Sequence, residues 1–321
     1  MARPGLPWLD AELIRSALRP RAAVDALAEA LRGGLDPSAG ASRSIISMAH
    51  GELLMMPAEY ADVAGVKLAT VAPQNPANGR PRVQGIFVLL DAQTLTPTAI
   101  LDGIELTALR TPAVSLLAAR DRLLAHTDPL DILVFGAGPQ AVRHVEATHD
   151  VLADHRALAS VTYVCRHPAR AQVPDIAGLR PRVLVAAEAA DLIVSAGLIV
   201  CATTAEDPLF DGAAVRDDVI VLAVGAHHRS AREVDDALIS RSCVVVEDVV
   251  TAKREAGDIA LALGSGALRE ERIIALARAV REPALVATDA PLFFKSVGMG
   301  WQDVVVARAV LGALENGALQ S

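Results

Sequence analysis

The sequence predicts an α/β protein in which a doubly wound parallel sheet is inserted into an α+β domain. The turn Gly136-Ala-Gly-Pro-Gln-Ala141 follows a strand-like run in the middle of the 321-residue chain, not at its start. Six apolar, β-branched runs at short spacing begin there, as a parallel sheet covered on both faces requires. Before the turn, short β-like runs alternate with turn-rich segments, which is typical of antiparallel hairpins.

The first third of the chain is predicted to start with a helix and to continue as an antiparallel sheet. Residues 21–32 carry Val24, Leu27 and Leu31 on one helical face and stop at Gly33-Gly34, a helix C-terminal signal. The strands are predicted at 44–48, 52–56, 65–71, 84–90 and 98–101. Thr111-Pro112 predicts a helix start, with the threonine as N-cap, and a helix over 113–124 that leads into the next domain.

From Asp131 onwards, strands are predicted to alternate with helices. The predicted strands are 131–135, 161–165, 182–185, 197–201, 219–224 and 243–247, with helices that include 188–195 and 235–241. After Gly298 an amphipathic helix closes the chain, and we expect it to return to the first domain. We therefore predict one domain from residues 1–119 with 296–321, and a second over residues 120–295.

Composition and charge exclude several classes of function. The net charge of −8, without a cluster of lysine or arginine, argues against a nucleic-acid partner. Cys165, Cys201 and Cys243 lie in apolar runs without metal-type spacing, so we expect reduced thiols and no metal site. Residues 1–10 hold no apolar segment of a signal peptide, and the longest uncharged apolar run, 192–205, is too short to span a membrane. We expect a cytoplasmic protein without a membrane partner.

The mid-chain turn fits the G-x-G-x-x-A pattern of a Rossmann dinucleotide site. Gly136 makes the tight turn, Gly138 lets the backbone approach a pyrophosphate, and Ala141 allows the helix to pack closely on the strand. Pro139 and Gln140 open the following helix, whose amides face the phosphate charge. FAD is disfavoured, because its motif normally opens a chain.

The second strand of this domain indicates which nicotinamide dinucleotide is bound. It ends at Cys165-Arg166-His167, with no carboxylate to bond a ribose 2′-hydroxyl. A planar guanidinium suits a 2′-phosphate, so Arg166, helped by His167 and Arg170, favours NADP(H), with NAD(H) possible. The alternative is that Arg166 is a solvated loop arginine.

Three cations lie at the edges of otherwise apolar runs before the turn, namely Arg43, Lys67 and Arg110. Burying them is costly unless an anion meets them. A substrate carboxylate is one such anion, since arginine can bind it through two parallel hydrogen bonds. The other interpretation is purely structural, with salt bridges to Glu52, Asp91 or Glu105.

Several stretches in order resemble the ornithine cyclodeaminase/mu-crystallin family. They are residues 56–57 with 65–67, 106–115, 135–140, 223–227 with 232–235, and 255–258. The resemblance implies a homodimer whose N-terminal region and last helix form a substrate-binding and dimerisation domain. It implies that Arg43, Lys67 and Arg110 hold a substrate carboxylate, with Lys67 also near the reacting nitrogen. We expect Met56 to line the substrate side, and further cofactor contacts from Thr111, Thr203, Val224 and Gly225.

Three departures distinguish this chain from the cyclodeaminases. Leu54 stands where they carry a glutamate, His227 replaces their catalytic aspartate, and Arg166 replaces the acidic ribose-binding residue. The resemblance then favours an oxidoreductase of amino acid metabolism that reduces the C=N bond of a 2-imino or cyclic ketimine acid. The candidate proton donors are Lys67 and His227.

Several alternatives stay open. The protein could instead be an NAD-dependent ammonia lyase of the cyclodeaminase type, or a non-catalytic NADPH- or small-ligand-binding protein. His227 could be a loop histidine that bonds the cofactor or the backbone. Asp303 matches a family motif but could equally cap the last helix.

Overall fold

The computed structural model describes residues 5–286 and 289–318. Residues 1–4, on which part of the signal-peptide expectation rests, lie outside the described residues. The chain forms two compact units, one from Met1–Arg110 with Gly298–Ser321 and one from Thr111–Val297. The sequence of the second unit therefore lies between two segments of the first.

The first unit contains a six-stranded sheet in the order β1-β6-β5-β4-β3-β2. Neighbours from β2 to β6 are antiparallel, as predicted, and the short β1 pairs in parallel with β6. The strands are β1 (Trp8–Leu9), β2 (Ser44–Met48), β3 (Gly51–Tyr60), β4 (Val63–Val71), β5 (Val83–Asp91) and β6 (Pro97–Asp102). The helices are α1 (Ala11–Ala17), α2 (Pro20–Arg32), the start of α3 (Gly103–Leu124), and α10 (Gly300–Ala318).

The last helix packs back into the first unit. α10 contacts α2, β3 and β4, and Val304, Val306 and Val310 on it are fully buried. Burial of this apolar stripe holds the helix on the sheet. Its first turn is thereby placed against β4.

The helix start predicted at Thr111-Pro112 is wrong. α3 begins at Gly103, where the Asp102 carboxylate accepts hydrogen bonds from the backbone amides of Ile104 and Glu105, both at 2.9 Å. This aspartate supplies the N-terminal cap, so Pro112 lies inside the helix and costs it one backbone hydrogen bond. The boundary between the two units falls within α3, and so does the boundary expected after residue 119.

The second unit contains an eight-stranded sheet in the order β13-β12-β14-β11-β10-β7-β8-β9, parallel throughout. Its strands are β7 (Leu130–Phe135), β8 (Leu158–Val164), β9 (Arg182–Leu184), β10 (Leu198–Cys201), β11 (Ile220–Ala223), β12 (Cys243–Val246), β13 (Ile273–Ala275) and β14 (Leu292–Lys295). Its helices beyond α3 are α4 (Pro139–Leu152), α5 (Ala190–Ser195), α6 (Asp236–Arg241), α7 (Val249–Glu255), α8 (Gly257–Ser265) and α9 (Leu276–Arg281). Single 3-10 turns cover Pro37–Ala39, Asn75–Asn78, Pro168–Arg170, Ala186–Glu188, Glu270–Arg272 and Pro283–Leu285.

The predicted α/β class with a doubly wound parallel sheet is confirmed. Six of the eight strands were predicted, and the other two are β13 and β14. β14 is inserted between β11 and β12, and all four of its residues are buried. The strand order reverses beside β7, which creates a crevice outside the carboxyl ends of β7 and β10 where ligands of such sheets bind. No helix within the described ranges is long and apolar enough to cross a membrane.

Candidate functional site

Lys67 lies on β4 with its side chain buried in the first unit. Its backbone is paired with Met56 on β3, which is also buried. The Lys67 Nζ atom is 2.8 Å from Asp303 Oδ2 and donates a hydrogen bond to Thr107 Oγ1 at 3.3 Å. Asp303 belongs to the first turn of α10 and is itself fully buried. A lysine on the sheet is thus paired with a carboxylate supplied by the last helix.

Arg110 reaches the same carboxylate. Its Nε atom is 3.2 Å from Asp303 Oδ1, and its Nη1 atom donates to Gln302 Oε1 at 2.7 Å. Gly298 has φ = +77°, and a Cβ there would come within 2.7 Å of both terminal nitrogens of Arg110. The backbone conformation favours glycine at this position, and a side chain there would also displace the Arg110 guanidinium.

Arg43 completes the group, since its Nη2 atom donates to the Gly298 carbonyl oxygen at 2.6 Å. The structure therefore brings the three predicted cations to the start of α10. We call Arg43, Lys67, Arg110 and Asp303 the cation cluster. Its role in binding substrate stays a prediction.

The ion-pair partner of Lys67 and Arg110 is Asp303, and not the suggested Glu52, Asp91 or Glu105. Glu105 forms an ion pair with Arg15 at 2.8 Å, and Asp91 accepts hydrogen bonds from Thr94. Asp303 matches a family motif in the sequence, but that motif left its role open between the site and a cap of the last helix. Asp303 is more than 190 positions away from both cations in the sequence, so the sequence alone does not indicate this pairing.

Burial lowers the pKa of Lys67 to about 8, and the positive charge of Arg110 acts in the same direction. Asp303 opposes this by attracting the ammonium and accepting its hydrogen bond, while Arg43 lowers the pKa a little further. A lysine with such a pKa can exchange its proton near neutral pH.

The glycine turn of the second unit leads from β7 into α4. Gly136 has φ = +104°, and a Cβ there would lie 2.4 Å from the Ala202 carbonyl oxygen. Gly138 is in extended conformation as the N-cap of α4, and a Cβ there would meet nothing within 4 Å. No side chain caps the helix, which starts at Pro139 and Gln140, and Ala141 is fully buried. Open space in front of uncapped helix amides fits a dinucleotide phosphate.

A groove of about 400 Å³ lies beside this turn. Gly138, Pro139, Arg143 and Arg170 are among its lining residues. Arg143, which sequence reasoning missed, also donates to Glu146 at 3.0 Å. Arg166, the predicted 2′-phosphate ligand, is exposed after β8 and is not among the groove residues. The groove therefore carries two guanidinium groups next to the predicted phosphate site.

The loops that follow β10 and β11 touch each other. Thr203 donates from its backbone N and from Oγ1 to Glu233 Oε1, both at 2.8 Å, and Gly225 N donates to Glu233 Oε2 at 2.7 Å. A Cβ on Gly225 would lie 2.1 Å from the Thr203 carbonyl oxygen. The structure thus brings together two predicted cofactor residues, and Val224 precedes Gly225 as a buried residue. Glu233 was not predicted.

The remaining predicted residues lie elsewhere in the second unit. Thr111 is buried inside α3, and its Oγ1 atom has no hydrogen-bond partner. His227 is exposed, two residues beyond Gly225 in the loop after β11. Within residues 5–286 and 289–318, no group of three or more His, Cys, Asp or Glu could hold a metal ion.

The chain resembles known proteins over nearly its whole length. Residues 14–318 match the ornithine cyclodeaminase/mu-crystallin family. Delta(1)-pyrroline-2-carboxylate reductase 2 of Burkholderia ambifaria is 32% identical over 272 residues, covering 83% of this chain and 81% of that protein. Ketimine reductase mu-crystallin of Rattus norvegicus is 29% identical over 279 residues, covering 86% of this chain and 85% of that protein.

The fold also matches a solved structure. Delta(1)-pyrroline-2-carboxylate reductase of Thermococcus litoralis, in complex with NADH and L-proline, superposes with a TM-score of 0.84 and 26% identity. The match covers 97% of this chain and 98% of that chain.

Proposed function

Because the chain belongs to the ornithine cyclodeaminase/mu-crystallin family, we propose that it is an NAD(P)H-dependent reductase of a small 2-imino or cyclic ketimine acid. Pyrroline-2-carboxylate and piperideine-2-carboxylate represent this substrate class. Reduction of such an imine is supported by two observations. The relatives are a pyrroline-2-carboxylate reductase and a ketimine reductase, and the Thermococcus protein was solved with NADH and L-proline. The observation in this chain that carries the proposal is the cation cluster.

The cation cluster has an excess of positive charge. Lys67 and Arg110 both pair with one carboxylate, that of Asp303, whose charge can offset only one of them. A substrate carboxylate would supply a second negative charge and reduce the cost of burying the cations. We propose that Arg43 and Arg110 bind it through charge-assisted hydrogen bonds. Met56, opposite Lys67 on the neighbouring strand, would provide an apolar wall.

Reduction of a C=N bond adds a hydride to carbon and a proton to nitrogen. A reduced nicotinamide dinucleotide supplies the hydride when it is bound. We propose that Lys67 supplies the proton, because its pKa of about 8 leaves it mostly protonated at neutral pH yet able to donate. His227 is the second candidate by residue type.

For the cofactor we propose NAD(P)H in the glycine turn, with a preference for NADPH. Gly136, Gly138 and the uncapped start of α4 support the dinucleotide. The preference for the 2′-phosphate rests on Arg166 with Arg170, whose planar guanidinium groups suit a phosphate. The groove lined by Arg143 and Arg170 supports a phosphate in this region.

The experiment is a turnover assay with the purified full chain. Delta(1)-pyrroline-2-carboxylate is added with NADPH or NADH, and dinucleotide oxidation is followed together with proline formation. We expect both, at a higher kcat/KM with NADPH. No oxidation with this substrate, piperideine-2-carboxylate or pyruvate plus amines would refute the reductase. Release of ammonia from ornithine without net dinucleotide oxidation would instead establish a lyase.

We also propose a homodimer that involves the edge strand β2. Ile45, Ile46 and Met48 are 56%, 41% and 58% exposed on this strand, which is unusual for a sheet edge facing water. Light scattering measures the mass in solution, and Ile46→Lys should shift it towards the monomer. A monomeric mass for the unaltered chain would refute the dimer. Cytoplasmic residence stays a prediction.

A further inference from the structure

Three charged side chains are buried together in the second unit, and none belongs to the predicted site. Glu233, Asp258 and Lys295 are 0%, 0% and 1% exposed. The Lys295 Nζ atom lies 3.0 Å from Asp258 Oδ2 and 3.9 Å from Glu233 Oε2. We call these three residues the buried triad. Burying three charges is costly, so their arrangement calls for an explanation.

Glu233 is the member that reaches the loops of the candidate cofactor site. Its Oε1 atom accepts from the backbone N and the hydroxyl of Thr203. Its Oε2 atom accepts from the amides of Gly225 and Ala226 at 2.7 and 3.3 Å. One carboxylate therefore binds the loop after β10 with one oxygen and the loop after β11 with the other.

Asp258 and Lys295 hold Glu233 in place. Asp258 Oδ1 accepts from the backbone amides of Glu233 and Val234 at 2.7 and 3.0 Å, while its other oxygen faces Lys295. Gly257, at the start of α8, approaches the same loop so closely that a Cβ would lie 1.9 Å from the Ala231 carbonyl oxygen. Position and charge of the Glu233 carboxylate are thus set by α8 and β14.

We propose that Glu233 is a positioning residue, which holds the loops of Thr203 and Gly225 in the shape that receives the dinucleotide. Asp258 fixes its backbone, and the Lys295 ammonium favours the ionised carboxylate, which opposes the burial that raises the pKa of Glu233. This inference rests on the proposed function, because the ligand is the nicotinamide dinucleotide. Only an ionised carboxylate can accept on both oxygens at once; an amide or a protonated carboxyl group turns a donor towards one loop. Glu233 itself need not touch the ligand.

The test compares Glu233→Gln with Asp235→Asn in the full chain. Asp235 is the matched control, since its carboxylate also accepts backbone amides, from Gly212 and Leu238 at 2.9 Å, but it binds neither cofactor loop. NADPH and NADH are titrated by fluorescence, and thermal unfolding is recorded. We expect Glu233→Gln to weaken dinucleotide binding by about tenfold or more, and Asp235→Asn to leave it unchanged at a comparable loss of stability.

Two results have different meanings. If the unaltered protein binds neither dinucleotide, the proposed function fails. If it binds NADPH, and Glu233→Gln binds it equally well, the positioning role is wrong while the proposed function stands.

Lys295→Met gives a second measurement should Glu233→Gln fail to fold. Without the lysine, the Glu233 and Asp258 carboxylates face each other and the Cys201 thiol with no cation between them. We expect one carboxylate to take up a proton, so NADPH affinity should fall as pH falls through the neutral range. The unaltered protein should show only the weaker dependence that titration of the NADPH 2′-phosphate causes in both proteins. An NADPH affinity of Lys295→Met that equals that of the unaltered protein at every pH would overturn the proposal.

Discussion

Replacing Asp303 by asparagine removes the negative charge that faces Lys67 and Arg110 and keeps the shape of the side chain. The Lys67 Nζ atom lies 2.8 Å from Asp303 Oδ2. At this separation and an effective dielectric constant of about 20, the attraction between unit charges is about 6 kcal/mol. In the variant, rearranged solvent and the amide oxygen compensate for most of the lost attraction. If roughly a quarter of it is not compensated, the pKa of Lys67 falls by about one unit.

The sign of the effect follows from the proposed chemistry. Lys67 donates a proton only as an ammonium, so kcat/KM should decline as pH rises through its pKa, about 8 in the unaltered protein. In Asp303→Asn the ammonium is less stable, and we expect the decline to begin about one pH unit lower. The assay is the initial rate of pyrroline-2-carboxylate reduction across a pH series. Titration of the substrate affects both proteins equally and cancels in the comparison.

Asp62→Asn is the matched control for this experiment. Asp62 belongs to the same unit and pairs with Arg308 at the surface, so its substitution changes net charge equally without facing Lys67. We expect its pH profile to overlay that of the unaltered protein. Coincident profiles for all three proteins, or a shift of Asp303→Asn towards higher pH, would refute the role of Lys67 as the acid.

Three other predictions concern single residues. Lys67→Met should lower kcat by about 100-fold or more and leave NADPH affinity intact; near-normal turnover would discard it as a catalytic residue. Arg166→Ala should reduce the preference for NADPH over NADH by about tenfold or more. Arg180 is also exposed, and Arg180→Ala should leave this preference unchanged. An unchanged NADPH-to-NADH affinity ratio in Arg166→Ala argues against a 2′-phosphate contact. His144 is buried in α4, and burial lowers its pKa from 6.5 to about 4, so the folded state binds fewer protons than the unfolded chain between these values. The contribution of neutral His144 to the free energy of unfolding is complete above pH 6.5, and roughly 3 kcal/mol of it should be lost as pH falls to about 4. In denaturant unfolding, His144→Gln should lose less stability over this pH range than the unaltered protein. Equal losses in the two proteins would contradict the lowered pKa of His144.

The sequence predicted the two sheets because local patterns specify them. β2 runs over the predicted 44–48, and strands such as β7 and β11 lie within one or two residues of their expected bounds. The start of α3 was missed for a physical reason. Thr111-Pro112 is a good local start signal, but the Asp102 cap lies earlier in the chain and the buried face of the helix continues through the proline. Tertiary burial outweighed the local signal.

The candidate site was only partly predictable. Cations in apolar runs are locally visible, so Arg43, Lys67 and Arg110 could be found from their neighbours alone. Asp303 and Glu233 act through contacts that depend on which elements pack together, and no local pattern encodes that. Glu52, Asp91 and Glu105 lie nearer to the cations in sequence, whereas the observed partner, Asp303, comes from the last helix.

The two glycines of the turn between β7 and α4 are constrained differently. At Gly136, backbone conformation and the nearby Ala202 carbonyl exclude a side chain whether or not a ligand is present. At Gly138, a methyl group would meet only open space, so the fold itself tolerates alanine there. The fold therefore requires glycine at position 136, whereas only the proposed dinucleotide would require it at position 138. A variant that no longer had to bind the dinucleotide would be free to lose Gly138 and would still have to keep Gly136.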